Sequence, residues 1–269
     1  MEVTRYAIID GAVEEELLKF LEETNPPHCC LYSEPIQPDL VTLAPYLVEV
    51  IPEVDVWLQT KETPWGIYLI TNTNMNKLRQ HLRKYLQVLI PGESKPVLFR
   101  FYDPRNIWDF LSVLSEWERF LFIGPVDKVA TCLNDKYKEE DFSTLKRKYP
   151  EDNSIRRKIM QISHSQMNEL VIIYEQRYVD TIIEKIESWG EKSEGIDRLV
   201  VTDTLHWLQE QNITDDRSIR GLFYLFHKHG CLSVDSVPER FREILCIDSE
   251  EGVFKAETLL LQELGNIPL

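Results

Sequence analysis

The sequence predicts an α+β or α/β fold in which an N-terminal mixed sheet flanked by helices is followed by an all-helical C-terminal lobe. In the first half of the chain, short apolar segments with a period of two alternate with amphipathic segments of helical period. Beyond residue 163 the apolar period is close to 3.6 almost throughout. Charged and polar residues dominate between the two parts. We therefore predict an α/β domain over residues 1–133, a charged connecting region over 134–163 and a helical lobe over 164–269.

Strands of the first domain are predicted where β-branched and aromatic residues cluster between turn residues. These segments are residues 5–9, 29–32, 44–51, 65–71 and 127–133, and residues 120–125 are also predicted to be extended. Helices are predicted where apolar residues recur every three or four positions. They span residues 13–24, 53–60 and 75–89, and Thr73 or Asn74 is expected to cap the third.

Residues 96–114 are predicted to form a strand, a cap and a helix. Apolar and mixed residues alternate from Val97 to Tyr102, which is typical of a strand. Asp103 follows at the expected N-cap, and Pro104 occupies the first helical turn, where its missing N–H costs nothing. The strand-to-helix connection, called the corner below, therefore brings together four polar side chains: Arg100, Tyr102, Asp103 and Arg105.

Two interpretations of the corner arise from its chemistry. Two guanidinium groups beside a helix N-terminus are suited to hold a phosphate or a carboxylate. Alternatively, Asp103 caps its helix while Arg100 and Arg105 pair with nearby acids and carbonyl groups. The second interpretation is favoured because no nucleophile or base is indicated close by in the sequence.

Helical periodicity continues through the C-terminal lobe. Apolar residues over 167–189 predict one long helix of roughly seven turns, ending at Gly190. Four shorter helices come after it, and their predicted apolar positions lie within residues 199–208, 219–226, 241–245 and 253–264. Thr214 or Asp215 is expected to cap the second of these, Gly230 to end it, and Pro238 to begin the third.

Composition narrows the possible function classes. The 269-residue chain carries a formal net charge of −15, and such a surface repels nucleic acid. The acidic residues are concentrated before residue 56, whereas residues 77–105 are predominantly basic, a polarity that suits docking to other proteins. No apolar segment approaches the roughly 20 residues that span a bilayer. No secretion signal is recognisable at the start, so we expect a cytoplasmic protein without membrane contact.

No catalytic or metal-binding pattern is found in the sequence. The chain has no P-loop, no G-x-G-x-x-G, no G-x-S-x-G and no H-E-x-x-H. His227 and His229 point to different faces of a helix, and the five cysteines lack metal-ligand spacing. His81 lies between Lys77 and Lys84 and could act as a base, although a solvated helix face is the favoured interpretation. We therefore expect no enzyme activity, cofactor or metal.

Several motifs resemble a known family. YAIIDGA, LAPYLVEV, WGIYLIT, HLRKYLQV, FRFYDPRNIWDFL and FIGP occur in this order over residues 5–127. They resemble the bacterial type VI secretion effector adaptor/chaperone family, and FRFYDPR is the most specific of them. The helical lobe is also similar to the region C-terminal to this domain in many members. Asn106 departs from the family pattern, in which an aliphatic or β-branched residue is more usual, and Cys29-Cys30 is not a family feature.

The resemblance implies a non-enzymatic role in which the protein binds a toxic effector and helps to load it onto the VgrG spike. The implied partners are therefore the effector and VgrG. Ten positions match the motifs as framework or partner-binding residues: Tyr46, Trp65, Gly66, His81, Arg83, Arg100, Tyr102, Asp103, Pro104 and Arg105.

Two alternatives stay open at this point. One is a small phosphate- or carboxylate-processing enzyme that uses Arg100, Asp103 and Arg105, with His81 as a base. The other is a toxin-neutralising immunity protein, which an acidic chain would suit if the toxin were basic.

Overall fold

A computed structural model describes residues 3–33, 35–149, 159–190 and 196–266. The chain divides into two compact units, Met1–Leu170 and Val171–Leu269. The predicted fold class is confirmed, because a sheet flanked by helices is followed by a helical C-terminal region. The predicted boundaries at residues 133 and 163 stay predictions, and part of the connecting region, residues 150–158, lies outside the described residues.

The strands of the first unit form two sheets. The strands are β1 (Thr4–Asp10), β2 (His28–Cys30), β3 (Pro45–Glu49), β4 (Gly66–Thr71), β5 (Gln87–Leu89), β6 (Val97–Leu98), β7 (Lys128–Leu133), β8 (Lys136–Asp141) and β9 (Met160–Gln161). The large sheet has the order β2-β3-β1-β4-β7-β8, and all of its neighbouring strands are antiparallel. The mixed pairing that we predicted occurs in the small sheet, of order β6-β5-β9, in which β5 and β9 are parallel.

Helices cover both faces of the large sheet. Those of the first unit are α1 (Leu17–Thr24), α2 (Pro38–Val41), α3 (Pro52–Gln59), α4 (Met75–Leu82), α5 (Ile107–Val113), α6 (Glu116–Ile123) and α7 (Ser143–Lys148), and a 3-10 turn follows α4 at Arg83–Tyr85. Alternate residues of β1 enter different cores: Tyr6 and Ile8 pack in one, Ala7 and Ile9 in the other. Because both faces are buried, β1 is an almost continuous apolar segment rather than an alternating one.

The predicted strand, cap and helix at residues 96–114 are wrong in detail. Strand β6 contains two residues, and helix α5 begins at Ile107 with Asn106 at its N-cap. The Asp103 side chain accepts a hydrogen bond from the backbone N–H of Arg105 at 2.9 Å instead of capping α5. This bond to the residue two positions on stabilises a turn, which competes with helix capping.

Two further predictions need correction, and one strand was not predicted. Residues 120–125, predicted to be extended, lie largely in α6, which begins with a capping box between Ser115 and Glu118. The helix expected to reach residue 89 ends at Leu82, and β5 follows the 3-10 turn. Strand β8 was not predicted from the sequence, because its residues KYKEED lack an apolar face. Such charge is typical of an edge strand.

The helices of the second unit match the predicted pattern. They are α8 (His164–Trp189), which begins in the first unit, α9 (Arg198–Glu210), α10 (Asp216–Lys228), α11 (Glu239–Leu245) and α12 (Gly252–Leu264). Asp215 caps α10 by accepting a hydrogen bond from the backbone N–H of Ser218 at 2.8 Å. Phe223, Phe226 and Phe241 are fully buried in the core of this unit. In the parts of the chain that the structure describes, no helix has the length and apolar character needed to cross a bilayer.

Candidate functional site

The turn after β1 lies beside the corner. Asp10 ends the strand, and its backbone N–H donates to the carbonyl oxygen of Trp65 at 2.8 Å. The Asp10 side chain is almost fully buried and accepts a hydrogen bond from the backbone N–H of Ala12 at 3.0 Å. A Cβ at Gly11 would lie only 2.6 Å from the carbonyl oxygen of Ala44, so the close approach of these backbones requires glycine.

Arg100 forms an ion pair with the carboxylate of Asp10. The Asp10 side chain is 3% exposed and that of Arg100 is 41% exposed, so the pair is buried mainly on its acidic side. Partial burial acts to lower the pKa of Arg100, but the charge and the hydrogen bond of Asp10 outweigh it and raise this pKa. The guanidinium therefore stays charged and satisfies a carboxylate that would otherwise be buried without a counter-charge.

Tyr102 is the most deeply buried member of the corner. Its hydroxyl interacts electrostatically with that of Tyr32. Burial first, and then the negative charge of Asp10, raise the pKa of Tyr102. The phenol is therefore protonated at neutral pH and does not serve as a base there.

Asp103 and Arg105 form the second ion pair of the corner. Both carboxylate oxygens of Asp103 accept from the guanidinium of Arg105, at 2.9 and 3.2 Å from Nε and at 2.7 Å from Nη2. Burial acts to raise the pKa of Asp103, but the side-chain and backbone hydrogen bonds of Arg105 and the charges of Arg105 and Arg100 hold it below its ordinary value. Pro104, which separates the two partners, is buried.

Three of the predicted positions lie in or beside the large sheet. The hydroxyl of Tyr46 donates to the carbonyl oxygen of Val41 at 3.1 Å, and the Trp65 side chain is almost fully buried. Gly66 has a φ of +152°, and a Cβ there would lie 1.8 Å from the carbonyl oxygen of Ile8. These contacts support the fold, and Gly66 is irreplaceable for a steric reason.

The favoured interpretation of His81 as a solvated residue is wrong. Its ring is buried, and Nε2 lies 2.7 Å from the carbonyl oxygen of Phe122. Because a carbonyl only accepts, we assign the ring proton to Nε2. The ring also packs against Gly124, where a Cβ would lie 2.1 Å from Cε1. The sequence did not reveal this burial, because His81 is flanked along α4 by the cations that suggested solvent.

Asp10 and Tyr32 are the residues that sequence reasoning did not assign to the site. Arg100 and Asp10 are 90 positions apart, and no local spacing indicates such a pair. The one available signal is the Asp10-Gly11 turn, which by itself indicates only the end of a strand. Among the residues described, no group of three or more His, Cys, Asp or Glu is arranged to hold a metal ion.

An open cleft of about 810 Å³ lies next to the corner, and Tyr32 lines it. Its walls are formed by Tyr32 and Ser33, by residues 35–37 and Leu40, by the end of α4 with the following 3-10 turn, and by strands β5 and β6. Arg83, the last of the ten predicted positions, lies in this wall and donates a hydrogen bond to the hydroxyl of Ser33. Arg83 is thus part of the cleft, whereas Arg100, Tyr102, Asp103, Pro104 and Arg105 form the neighbouring corner.

The first unit is therefore an α+β domain with a corner of paired charges and an adjacent open cleft, and a helical unit follows it. Residues 5–120 match the model of a protein family described as a domain of unknown function (DUF4123). This match contains the ten predicted positions as well as Asp10 and Tyr32. No curated protein and no solved structure matches the chain.

Proposed function

We propose that this protein is a cytoplasmic, non-catalytic adaptor of type VI secretion, which binds a toxic effector and helps to load it onto the VgrG spike. The family match over residues 5–120 supports this role, because it covers nearly all of the motifs that resemble the adaptor family. In this proposal the domain offers surfaces for other polypeptides and breaks no covalent bond.

The observation that carries the proposal is the internal pairing of charges at the corner. Arg100 binds Asp10, and Arg105 binds both oxygens of Asp103. A general base works best when its pKa lies near the working pH. Despite partial burial, the hydrogen bonds of Arg105 hold the pKa of Asp103 below its ordinary value, and the buried Asp10 carboxylate is paired with Arg100. Tyr102 is buried and protonated. The two ion pairs of the corner, Arg100 with Asp10 and Arg105 with Asp103, are called the structural clamp below. Such internal pairing favours a binding protein over an enzyme.

Co-purification tests the proposal. The full chain is expressed with the effector encoded beside it and with the corresponding VgrG, and each pair is passed through affinity and size-exclusion columns. We expect stable complexes with both partners, and no complex with an unrelated protein of similar charge. If folded effector and folded VgrG both fail to bind, the adaptor role is wrong.

The competing enzyme hypothesis has one specific observation in its favour. The side chains of Arg100 and Arg105 are 41% and 53% exposed, so an anion can approach both guanidinium groups from solvent. Calorimetric titration with inorganic phosphate separates the two hypotheses. An enzyme that processes phosphate should bind the anion and lose binding in Arg105→Gln, whereas the clamp interpretation predicts no saturable binding.

A further inference from the structure

The cleft beside the corner has a mixed chemical lining. Its charged residues among those the structure describes are Arg83 and Lys84, and both are cations. Lys84 is exposed and forms no ion pair within the part of the chain that the structure describes. On a chain of net charge −15, two cations that line the same concave surface attract negative charge to it. The cleft therefore favours an anionic ligand.

Apolar side chains are exposed on two sides of the same cleft. Leu40 on α2 is 41% exposed and Leu98 on β6 is 57% exposed. Leu98 is paired across the antiparallel strands with Gln87 of β5, so the two side chains are neighbours on one face of the small sheet. Burying these leucines against a partner would remove apolar surface from water, which is the main favourable contribution to association.

Three glutamines add hydrogen-bonding groups to the lining: Gln37, Gln80 and Gln87. All three are exposed, and their side chains form no hydrogen bond with another residue in the described ranges. An amide side chain offers a donor and an acceptor together, which matches the N–H and C=O groups of a peptide backbone. A helical ligand has already paired these groups internally, whereas an extended ligand presents them.

We infer that this cleft binds an extended segment of the effector that carries both carboxylates and apolar side chains. The inference rests on the proposed adaptor function and names the chemistry of one of its contacts. The carboxylates pair with Lys84 and Arg83, the apolar side chains cover Leu40 and Leu98, and the glutamine amides bind the backbone. Tyr32 connects the corner to this surface, because it lines the cleft and its side chain interacts electrostatically with that of Tyr102.

Two substitutions in the cleft, one of a cation and one of an apolar side chain, test the inference in the whole chain. The dissociation constant for the labelled full-length effector is measured by fluorescence anisotropy for wild type, Lys84→Glu and Leu98→Asp. Lys19→Glu is the matched control, because Lys19 is exposed on α1 and does not line the cleft. We expect each cleft variant to weaken binding about tenfold, with a smaller difference at high salt for Lys84→Glu. Lys19→Glu should stay within about twofold of wild type.

Overlapping synthetic peptides from the effector identify the bound segment. We expect wild type to bind an acidic peptide with apolar residues and Lys84→Glu to lose it. If wild type binds the effector but both cleft variants bind it equally well, or if the bound peptide is basic, the inference is wrong while the adaptor role stands. If wild type binds neither the effector nor VgrG, the adaptor role and the inference are both wrong.

Discussion

Replacing Arg100 by methionine tests whether the corner stabilises the fold. Without the guanidinium, the buried carboxylate of Asp10 keeps the backbone N–H of Ala12 as its hydrogen-bond donor. A hydrogen bond to a charged group contributes about 1.5–3 kcal/mol, and water screens part of this because Arg100 is 41% exposed. We therefore expect the free energy of unfolding to fall by about 2 kcal/mol.

Urea denaturation followed by tryptophan fluorescence measures this change. Asp10→Asn removes the other charge, and the double variant completes a cycle. Because the two side chains contact each other, we expect a coupling energy of about 1 kcal/mol. Lys19→Met, an exposed substitution on α1, serves as the control and should change the unfolding free energy by less than about 0.5 kcal/mol.

The opposite result would show that Arg100 is a partner contact. In that case Arg100→Met unfolds at the wild-type urea concentration, the coupling energy is near zero, and affinity for the effector falls sharply. The structural clamp would then be refuted, and the corner would belong to the binding surface.

Three other substitutions test the structure further. The pKa of Asp103 is lowered on folding, so its ionised form stabilises the protein above about pH 4 and the contribution is lost as pH falls below that value. The difference in unfolding free energy between wild type and Asp103→Asn should therefore shrink in acid, and a constant difference would contradict this. Gly66→Ala forces a Cβ against the Ile8 carbonyl and should cost about 3 kcal/mol or more; an unchanged melting temperature would refute that packing. Burial raises the pKa of Tyr68 to about 12, so Tyr68→Phe should lose less stability than wild type between about pH 10 and 12, and parallel losses would contradict this.

The helical unit was the easiest part to predict from the sequence. Its helices bury one apolar face each, and their ends carry local signals such as Asp215 before α10 and Gly190 after α8. These signals act within a few residues of one another. The apolar periodicity and the residues at the helix ends were therefore enough to predict these helices.

The corner was harder to predict because an aspartate before a helix can form either of two hydrogen-bonded structures. An aspartate before a helix can accept from the first turn of that helix, or it can accept from the N–H two positions on and form a turn. Asp103 does the second, and the guanidinium of Arg105 binds the same carboxylate. The choice depends on contacts that the local spacing does not show.

The sequence pattern did not predict which polar side chains contact residues far away in the chain. The bond from Arg100 to Asp10 and the bond from His81 to the Phe122 carbonyl join segments that are far apart in the chain. Strand β8 was missed for a related reason, since its position at the sheet edge comes from its pairing with β7 rather than from its own residues. The type of most elements was thus predictable from the sequence, whereas the partners of the polar side chains were not.

Reconstitution of the loading complex tests the central proposal most directly. Purified full-length protein, effector and VgrG are mixed, the mass of the assembly is measured by light scattering, and the components are then analysed by intact-mass spectrometry. We predict one assembly that contains all three chains, each with an unaltered mass. A mixture in which the three chains migrate separately, or in which the effector or VgrG emerges covalently changed by this protein, would contradict a non-catalytic adaptor.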